Sequence, residues 1–137
     1  MPANTSPIFG LTPVLSWGEI ATANTAKDGT GTVVTIFTAG ANGARVDKIR
    51  YKAKGTNVAT VLRVFTNNGS TNATAANNSL YHEETVAATT LSEVAALTNG
   101  EVAIPDGLLL PAGYKLNITI GTTIAAGLHV SAQGADF

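Results

Sequence analysis

The sequence predicts an all-β protein, either a sandwich or a barrel. About eight stretches rich in β-branched and alternating apolar residues follow one another at roughly ten-residue spacing. Turn residues separate them, and Asn42-Gly43 is a strong hairpin signal because both residues accept a positive φ. No helical stretch of the kind that connects parallel strands is visible. The strands are therefore expected to pair in an antiparallel manner.

The clearest strand covers residues 113–121 and follows a corner at Pro111 and Gly113. Successive side chains of a strand point to opposite faces of its sheet, so alternation of apolar and polar residues indicates one buried and one solvated face. The residues predicted to face the core are Tyr114, Leu116, Ile118 and Ile120, and those predicted to face solvent are Lys115, Asn117 and Thr119.

The remaining strands are predicted from the same pattern. In chain order they cover residues 14–21, 32–38, 45–54, 56–66, 79–87 and 128–132. Asn99-Gly100 and Asp106-Gly107 mark turns in a further piece between residues 99 and 110. Residues 67–78 form a long polar loop. Residues 88–98 are expected to be extended or a loop, because Thr89 and Thr90 are poor helix formers and the run is short.

The chain divides into an extended N-terminal arm, residues 1–13, and a β-sandwich domain, residues 14–137. Three prolines within the arm forbid a regular helix. Ile8, Phe9 and Leu11 are apolar, which a solvated tail does not need. Three alternatives remain open at this point. The arm docks on a neighbouring molecule, packs on its own domain, or is a loose terminus.

Composition argues against several classes of function. Thr, Ala, Gly and Asn make up 67 of the 137 residues, and charged residues only 12%, against about 25% in an average soluble protein. A net charge of −1 gives no overall electrostatic case for binding nucleic acid or a membrane. The absence of cysteine excludes disulfides and thiolate metal sites. The surface suits a protein that packs against other proteins, and it also suits a stable secreted domain.

No residue pattern predicts catalysis or a cofactor. His82 and Glu84 share one face of a strand and could supply two metal ligands, but a site needs further ligands from elsewhere. Adjacent Glu83 and Glu84 point to opposite faces, which argues against a shared acid–base pair. There is no Gly-x-Ser-x-Gly sequence for a nucleophile elbow. We expect neither an enzyme, nor a metal site, nor a cofactor.

Basic residues concentrate in one predicted strand. Lys48, Arg50, Lys52 and Lys54 alternate and so form a row on one sheet face, with Arg63 on the following strand. Three readings are open. The row docks an acidic partner, contacts a polysaccharide or nucleic acid, or is simply a solvated face whose lysines discourage edge pairing.

The sequence resembles small virion proteins of tailed bacteriophages. The similarity runs from about Trp17 to Phe137, and the stretches that carry it are Trp17-Gly-Glu-Ile, Thr22-Ala-Asn-Thr, Lys27-Asp-Gly-Thr-Gly-Thr, Val46-Asp-Lys-Ile-Arg, Thr60-Val-Leu-Arg-Val-Phe and Leu110-Pro-Ala-Gly-Tyr-Lys-Leu. Among these proteins it is most similar to jelly-roll cement, or decoration, proteins of short-tailed phage heads. The resemblance implies a jelly-roll sandwich that forms oligomers on the capsid exterior.

The function implied by this resemblance is to stabilise the shell of major capsid protein from outside. The expected partners are that capsid protein and further copies of the chain, with a dimer favoured over a trimer, and no nucleic acid or membrane. The protein would be made in the cytoplasm of the bacterial host and reside on the virion. The alternative is a tail-fibre or baseplate module that binds carbohydrate or another tail protein. The residues expected at the partner interface are Ile8, Phe9, Leu11, Trp17, Lys48, Arg50 and Lys52.

Overall fold

The computed structural model describes residues 9–137 and shows two antiparallel sheets packed face to face. Among these residues the one helical element is a single 3₁₀ turn, Ala75–Asn77, and no helix is long and apolar enough to cross a membrane. The nine strands are β1 (Thr12–Ile20), β2 (Val34–Thr38), β3 (Ala44–Ala53), β4 (Thr60–Asn67), β5 (Asn78–Val86), β6 (Asn99–Val102), β7 (Leu108–Leu110), β8 (Lys115–Ile120) and β9 (Leu128–Asp136).

Consecutive strands alternate between the two sheets for most of the chain. Sheet A has the order β1-β9-β3-β6, with β7 also paired to β3, and sheet B has the order β2-β8-β4-β5. Chain segments that cross repeatedly from one sheet to the other in this way form a jelly-roll-like sandwich. The predicted all-β antiparallel sandwich is therefore confirmed.

The structure has nine strands where about eight are expected from the turn spacing. The difference lies between residues 99 and 110, where β6 and β7 are two short strands that pair with opposite ends of β3. Asp106 and Gly107 separate them, and both have positive φ angles, 61° and 81°. Such a pair of left-handed residues turns the chain sharply, so that the strand breaks in two.

Most predicted strand boundaries lie within two residues of the observed ones. The largest differences are four residues each: the start of β4, predicted at residue 56 and observed at Thr60, and the end of β9, predicted at residue 132 and observed at Asp136. Residues 56–59 leave the ladder because Asn57 forms an isolated bridge with Thr89 instead. Residues 88–98 contain no helix, as predicted. At the other end, β1 begins at Thr12, and the amide of Leu11 already donates a hydrogen bond to the carbonyl of Asp136.

The core lies between the sheets and is built from alternate residues of each strand. The largest fully buried side chains are Phe37, Phe65, Ile36, Ile49, Leu62, Leu116, Ile118, Ile120, Ile124, Leu128, Val46 and Val64. All of these except Phe65 belong to the contiguous inter-sheet cluster. Burial of each such side chain contributes about 1.5–3 kcal/mol to folding.

The predicted solvent face of β8 is wrong. Asn117 is 3% exposed and Thr119 is fully buried, whereas Lys115 at the strand end is half-buried. The reason is that β8 lies between β2 and β4, and side chains of these strands flank the face: Thr35 and Phe65 lie opposite Asn117, and Arg63 lies opposite Thr119. The side chain of Asn117 accepts a hydrogen bond from Thr35 Oγ1 at 2.7 Å. A buried polar group with such a partner is tolerated.

Asparagine side chains hold the long polar loops together. Nδ2 of Asn72 donates to the carbonyl oxygens of Gly29 and Gly31, at 3.1 and 2.8 Å. Asn24 uses its own Nδ2 in the same way, on the carbonyls of Thr30 and Thr32. The loop between β4 and β5 is thereby tied to the loop between β1 and β2. The abundance of asparagine thus has a structural explanation.

Replacing Asn72 with aspartate should lower the free energy of unfolding by about 2 kcal/mol, because two carbonyls lose their donor and face a carboxylate. Chemical denaturation monitored by circular dichroism measures the effect. Asn42→Asp is the matched control, since its amide makes one longer contact, 3.4 Å to the carbonyl of Phe137. Equal stability of the two variants would contradict the role assigned to Asn72.

Candidate functional site

The outer face of sheet A brings together most residues predicted at a partner interface. Strand register places side chains of β1, β9, β3 and β6 side by side in three rows across this face. The rows are Leu15–Gln133–Lys48, Trp17–Ser131–Arg50–Glu101 and Glu19–His129–Lys52–Asn99. Residues far apart in the chain therefore form one continuous surface.

Apolar side chains line the β1 edge of this surface. Leu15 and Trp17 are 62% and 66% exposed, and Leu11, just before the strand, is 76% exposed. Phe9 is 67% exposed, and Ile8 lies outside the described residues. We call Phe9, Leu11, Leu15 and Trp17 the apolar stripe. Contiguous exposed apolar side chains on a soluble domain indicate an interaction site.

The basic row of β3 lies on the same face, two strands away from β1. Glu101 is the nearest carboxylate, 3.5 Å from Lys48 Nζ and 3.9 Å from Arg50 Nε. Lys52 Nζ donates to the carbonyl of Leu97 at 3.1 Å, and no described carboxylate lies within 4.0 Å of it. Three cations against one carboxylate leave this part of the face positive. We call Lys48, Arg50 and Lys52 the basic row.

Two residues from the predicted basic pattern do not extend the row. Lys54 lies just beyond β3 and forms an ion pair with Glu19, 2.7 Å from Nζ to Oε1. Arg63 belongs to β4 in sheet B, is 9% exposed, and pairs with Glu83 at 2.9 Å. Sequence position alone does not distinguish these two cations from the three of the basic row.

A β-bulge in β3 adds an ion pair, Arg45 with Asp47, to this face, which alternation did not predict. The register of β3 against β9 shifts between Val46 and Lys48, so Arg45 joins the same exposed face although its number has the opposite parity. Nε of Arg45 lies 2.6 Å from Asp47 Oδ1. A bulge inserts one residue into a strand and reverses the alternation beyond it. Gly134 lies opposite the bulge. A glycine close to a predicted strand is the sequence signal that could have indicated it.

Two shallow grooves follow this face. One, of about 560 Å³, lies over the basic row and is lined by Leu15, Arg50, Lys52, His129 and Gln133. The other, of about 610 Å³, lies at the end where the chain enters β1, and its lining includes Gly10, Arg45, Leu109, Pro111 and Phe137. The first groove is mixed polar and apolar, and the second is mainly apolar. Together they make the face concave in two places, where side chains of a protein partner can pack.

The pKa of Glu19, at the rim of the face, is lowered. The hydrogen bond from Lys54 lowers the pKa of Glu19 below its ordinary value of 4.5, with a smaller contribution from His129, whose Nε2 is 3.5 Å away. Both groups are exposed, so solvent screens the pair. The pair fixes Glu19 at the β1 edge and neutralises Lys54.

The His82–Glu84 pair lies away from this face. Nε2 of His82 is 3.1 Å from Oε2 of Glu84, and both side chains are about one-third exposed. Burial, and secondarily the charge of Glu84, raise the pKa of Tyr51 on the facing sheet. Within residues 9–137 no three His, Asp or Glu side chains converge as metal ligands would.

Comparison with known proteins shows no family for this chain. No protein-family model matches the chain, and no curated protein matches it. One solved structure that does match is the cyanophage Pam1 capsid asymmetric unit. The alignment covers 100% of this chain and 94% of that chain, with 17% sequence identity and a TM-score of 0.47. Similarity at this level assigns neither a family nor a function.

Replacing Lys54 with methionine should raise the pKa of Glu19 towards 4.5, because the largest stabilising partner of the carboxylate is lost. The depressed pKa means that the pair stabilises the fold above the unfolded pKa and loses this effect as the pH falls through the folded pKa. An NMR titration of the Glu19 carboxyl carbon measures the change. Lys27→Met, a substitution of an exposed lysine outside this face, should leave the Glu19 titration unchanged.

Proposed function

We propose that this chain is a structural protein of a bacteriophage virion, a cement protein that binds the exterior of the head. It stabilises the shell of major capsid protein, acts as a homo-oligomer, and is made in the cytoplasm of the bacterial host. The proposal involves no catalysis, no cofactor, no nucleic acid and no membrane. It combines the sequence resemblance to small virion proteins with the jelly-roll-like strand order.

The observation that carries the proposal is the joint placement of the apolar stripe and the basic row on one face of sheet A. Trp17 and Arg50 lie in the same row across the face, separated by Ser131 of β9. A protein interface combines a buried apolar centre with a polar rim. Here β1 supplies large apolar side chains and β3 supplies the charged ones.

The basic row favours an acidic surface as the partner. It is exposed, so its attraction to carboxylates is long-range and decreases with salt, over a Debye length of about 8 Å at physiological ionic strength. Such charges mainly guide association and select the partner. The apolar stripe, once covered, supplies the larger share of the binding free energy through burial of Trp17.

Shell stabilisation follows from this arrangement by mass action. A protein that binds the assembled shell but not its dissociated subunits shifts the equilibrium towards the shell. Each bound copy adds its binding free energy to the assembled state. Many weak contacts, repeated over a regular lattice of sites, therefore raise the resistance of the whole head to rupture.

Reversing the charge of the basic row, by Lys48→Glu together with Lys52→Glu, should lower occupancy on purified heads that lack this protein by at least tenfold. The reason is that both substitutions replace attraction by repulsion at an acidic surface. Occupancy is measured by co-sedimentation at several salt concentrations, and head stability by the temperature of rupture.

The matched control is Lys27→Glu with Lys115→Glu, which makes the same change in net charge away from the outer face of sheet A. Normal occupancy with the control and loss with the basic-row variant supports the proposal. Equal loss with both variants, or wild-type protein that binds a glycan array or purified tails but not heads, would contradict it.

A further inference from the structure

We infer that β1 pairs with β1 of a second copy of this chain, in antiparallel orientation about a two-fold axis at Ser16. This inference specifies the homo-oligomer that is part of the proposed function, and it does not depend on binding to heads. The pairing joins the A sheets of two copies into one continuous sheet. It also extends the apolar stripe of each copy across the junction.

The edge of sheet A at β1 is open. The strand pairs with β9 on one side, and no backbone hydrogen bond from residues 9–137 reaches its other side. It is nine residues long and contains no lysine or arginine. Its one charged residue, Glu19, is paired with Lys54. Long apolar edges without such charges are where another strand adds.

The hydrogen-bonding pattern shows which residues of β1 present their backbone to this open edge. The carbonyl of Asp136 accepts a bond from Leu11 and so points from β9 towards β1. Asp136 is opposite Thr12, and hydrogen-bonded and non-hydrogen-bonded residues alternate along an antiparallel pair. The even-numbered residues of β1 therefore bond to β9, and the odd-numbered ones face outwards.

Two other observations agree with this assignment. The amide of Lys54 donates to the carbonyl of Gly127, which fixes the odd-numbered residues of β9 as those that bond to β3 and leaves the even-numbered ones for β1. Pro13 has no N–H, and proline in a sheet turns its nitrogen to the free side of an edge strand. The free donors of the edge are thus the amides of Leu15, Trp17 and Glu19.

A two-fold axis at Ser16, the middle residue of β1, satisfies all three donors. Leu15 of one copy lies opposite Trp17 of the other, and Glu19 lies opposite Pro13. The amides of Leu15, Trp17 and Glu19 then bond to the carbonyls of Trp17, Leu15 and Pro13 of the second copy. The same residues have outward-pointing backbone groups in both copies, so the pairing is self-complementary.

The side chains favour a second copy as the occupant of the edge. Leu15 and Trp17 of both copies form one cluster of aliphatic and aromatic cross-strand pairs on the outer face. The two Glu19 carboxylates lie at opposite ends of the paired strands and opposite prolines, so no like charges face each other. On the inner face, Ser16 and Gly18 are small and pack against β2, where a Cβ on Gly18 would lie 2.4 Å from Val34 Cγ1.

Trp17→Lys tests whether this edge forms the dimer. The wild-type chain should be dimeric by analytical ultracentrifugation, and the variant should show a dissociation constant at least tenfold higher, because a lysine replaces an aromatic cross-strand partner. Leu109→Lys is the control on the opposite edge of the sheet, with the same exposure, 67% against 66%. It should dimerise normally. A monomeric wild type, or equal effects of both substitutions, would overturn the inference.

Cysteine cross-linking tests the register, and the cysteine-free chain suits it. Ser16→Cys should form an intermolecular disulfide under mild oxidation, because its Cα atoms are about 4.5 Å apart across the axis in a non-hydrogen-bonded pair. Val14→Cys should not, because its copies are offset by four residues, about 14 Å. Equal cross-linking of both variants, or none in a dimeric Ser16→Cys protein, would contradict the pairing. Failure to bind heads by a normal dimer would count against the proposed function alone.

Discussion

The arrangement of sheet A depends on a close approach of β9 to β3. Gly134 of β9 passes so near the carbonyl of Arg45 in β3 that a Cβ there would clash with the oxygen. No residue with a side chain fits this position without a shift of the backbone. The bulge at Asp47 lies beside this contact, and it brings Arg45 onto the same face as Lys48, Arg50 and Lys52.

The same strand, β9, also holds the two functional parts of the face in register. It pairs with β1 along nine residues and with β3 on its other side. Ser131 thereby fixes Trp17 and Arg50 in one row. The apolar stripe and the basic row are therefore positioned by a single rigid element, which is how a docking surface keeps its geometry without a partner.

Alternation of polar and apolar residues was sufficient to predict most of the fold and the basic row on the outer face of sheet A. It placed the basic row on one face of β3, and the structure shows that row outside and the alternating residues Ile49, Tyr51 and Ala53 buried, because β3 has one covered and one open face. It predicted Asn117 and Thr119 to be exposed, but both are buried. Alternation shows which residues share a face of a strand, but not whether other side chains cover that face. It could not foresee the bulge either, because the shift is a feature of the pairing with β9, where Val46 is opposite Gly134, a residue almost ninety positions away. That the apolar stripe and the basic row contact a partner remains a prediction.

The pairing of β1 with β9 has a consequence for how the chain folds during synthesis. Leu15 leaves the ribosome more than one hundred residues before Gln133, its partner in the ladder. At typical elongation rates of about 5–20 residues per second, β1 stays without its neighbour for several seconds. The first strand of sheet A stays unpaired until the last one is synthesised. On a polysome, many nascent chains with an unpaired β1 lie close together. Contacts this distant in sequence also make folding slow once the chain is complete.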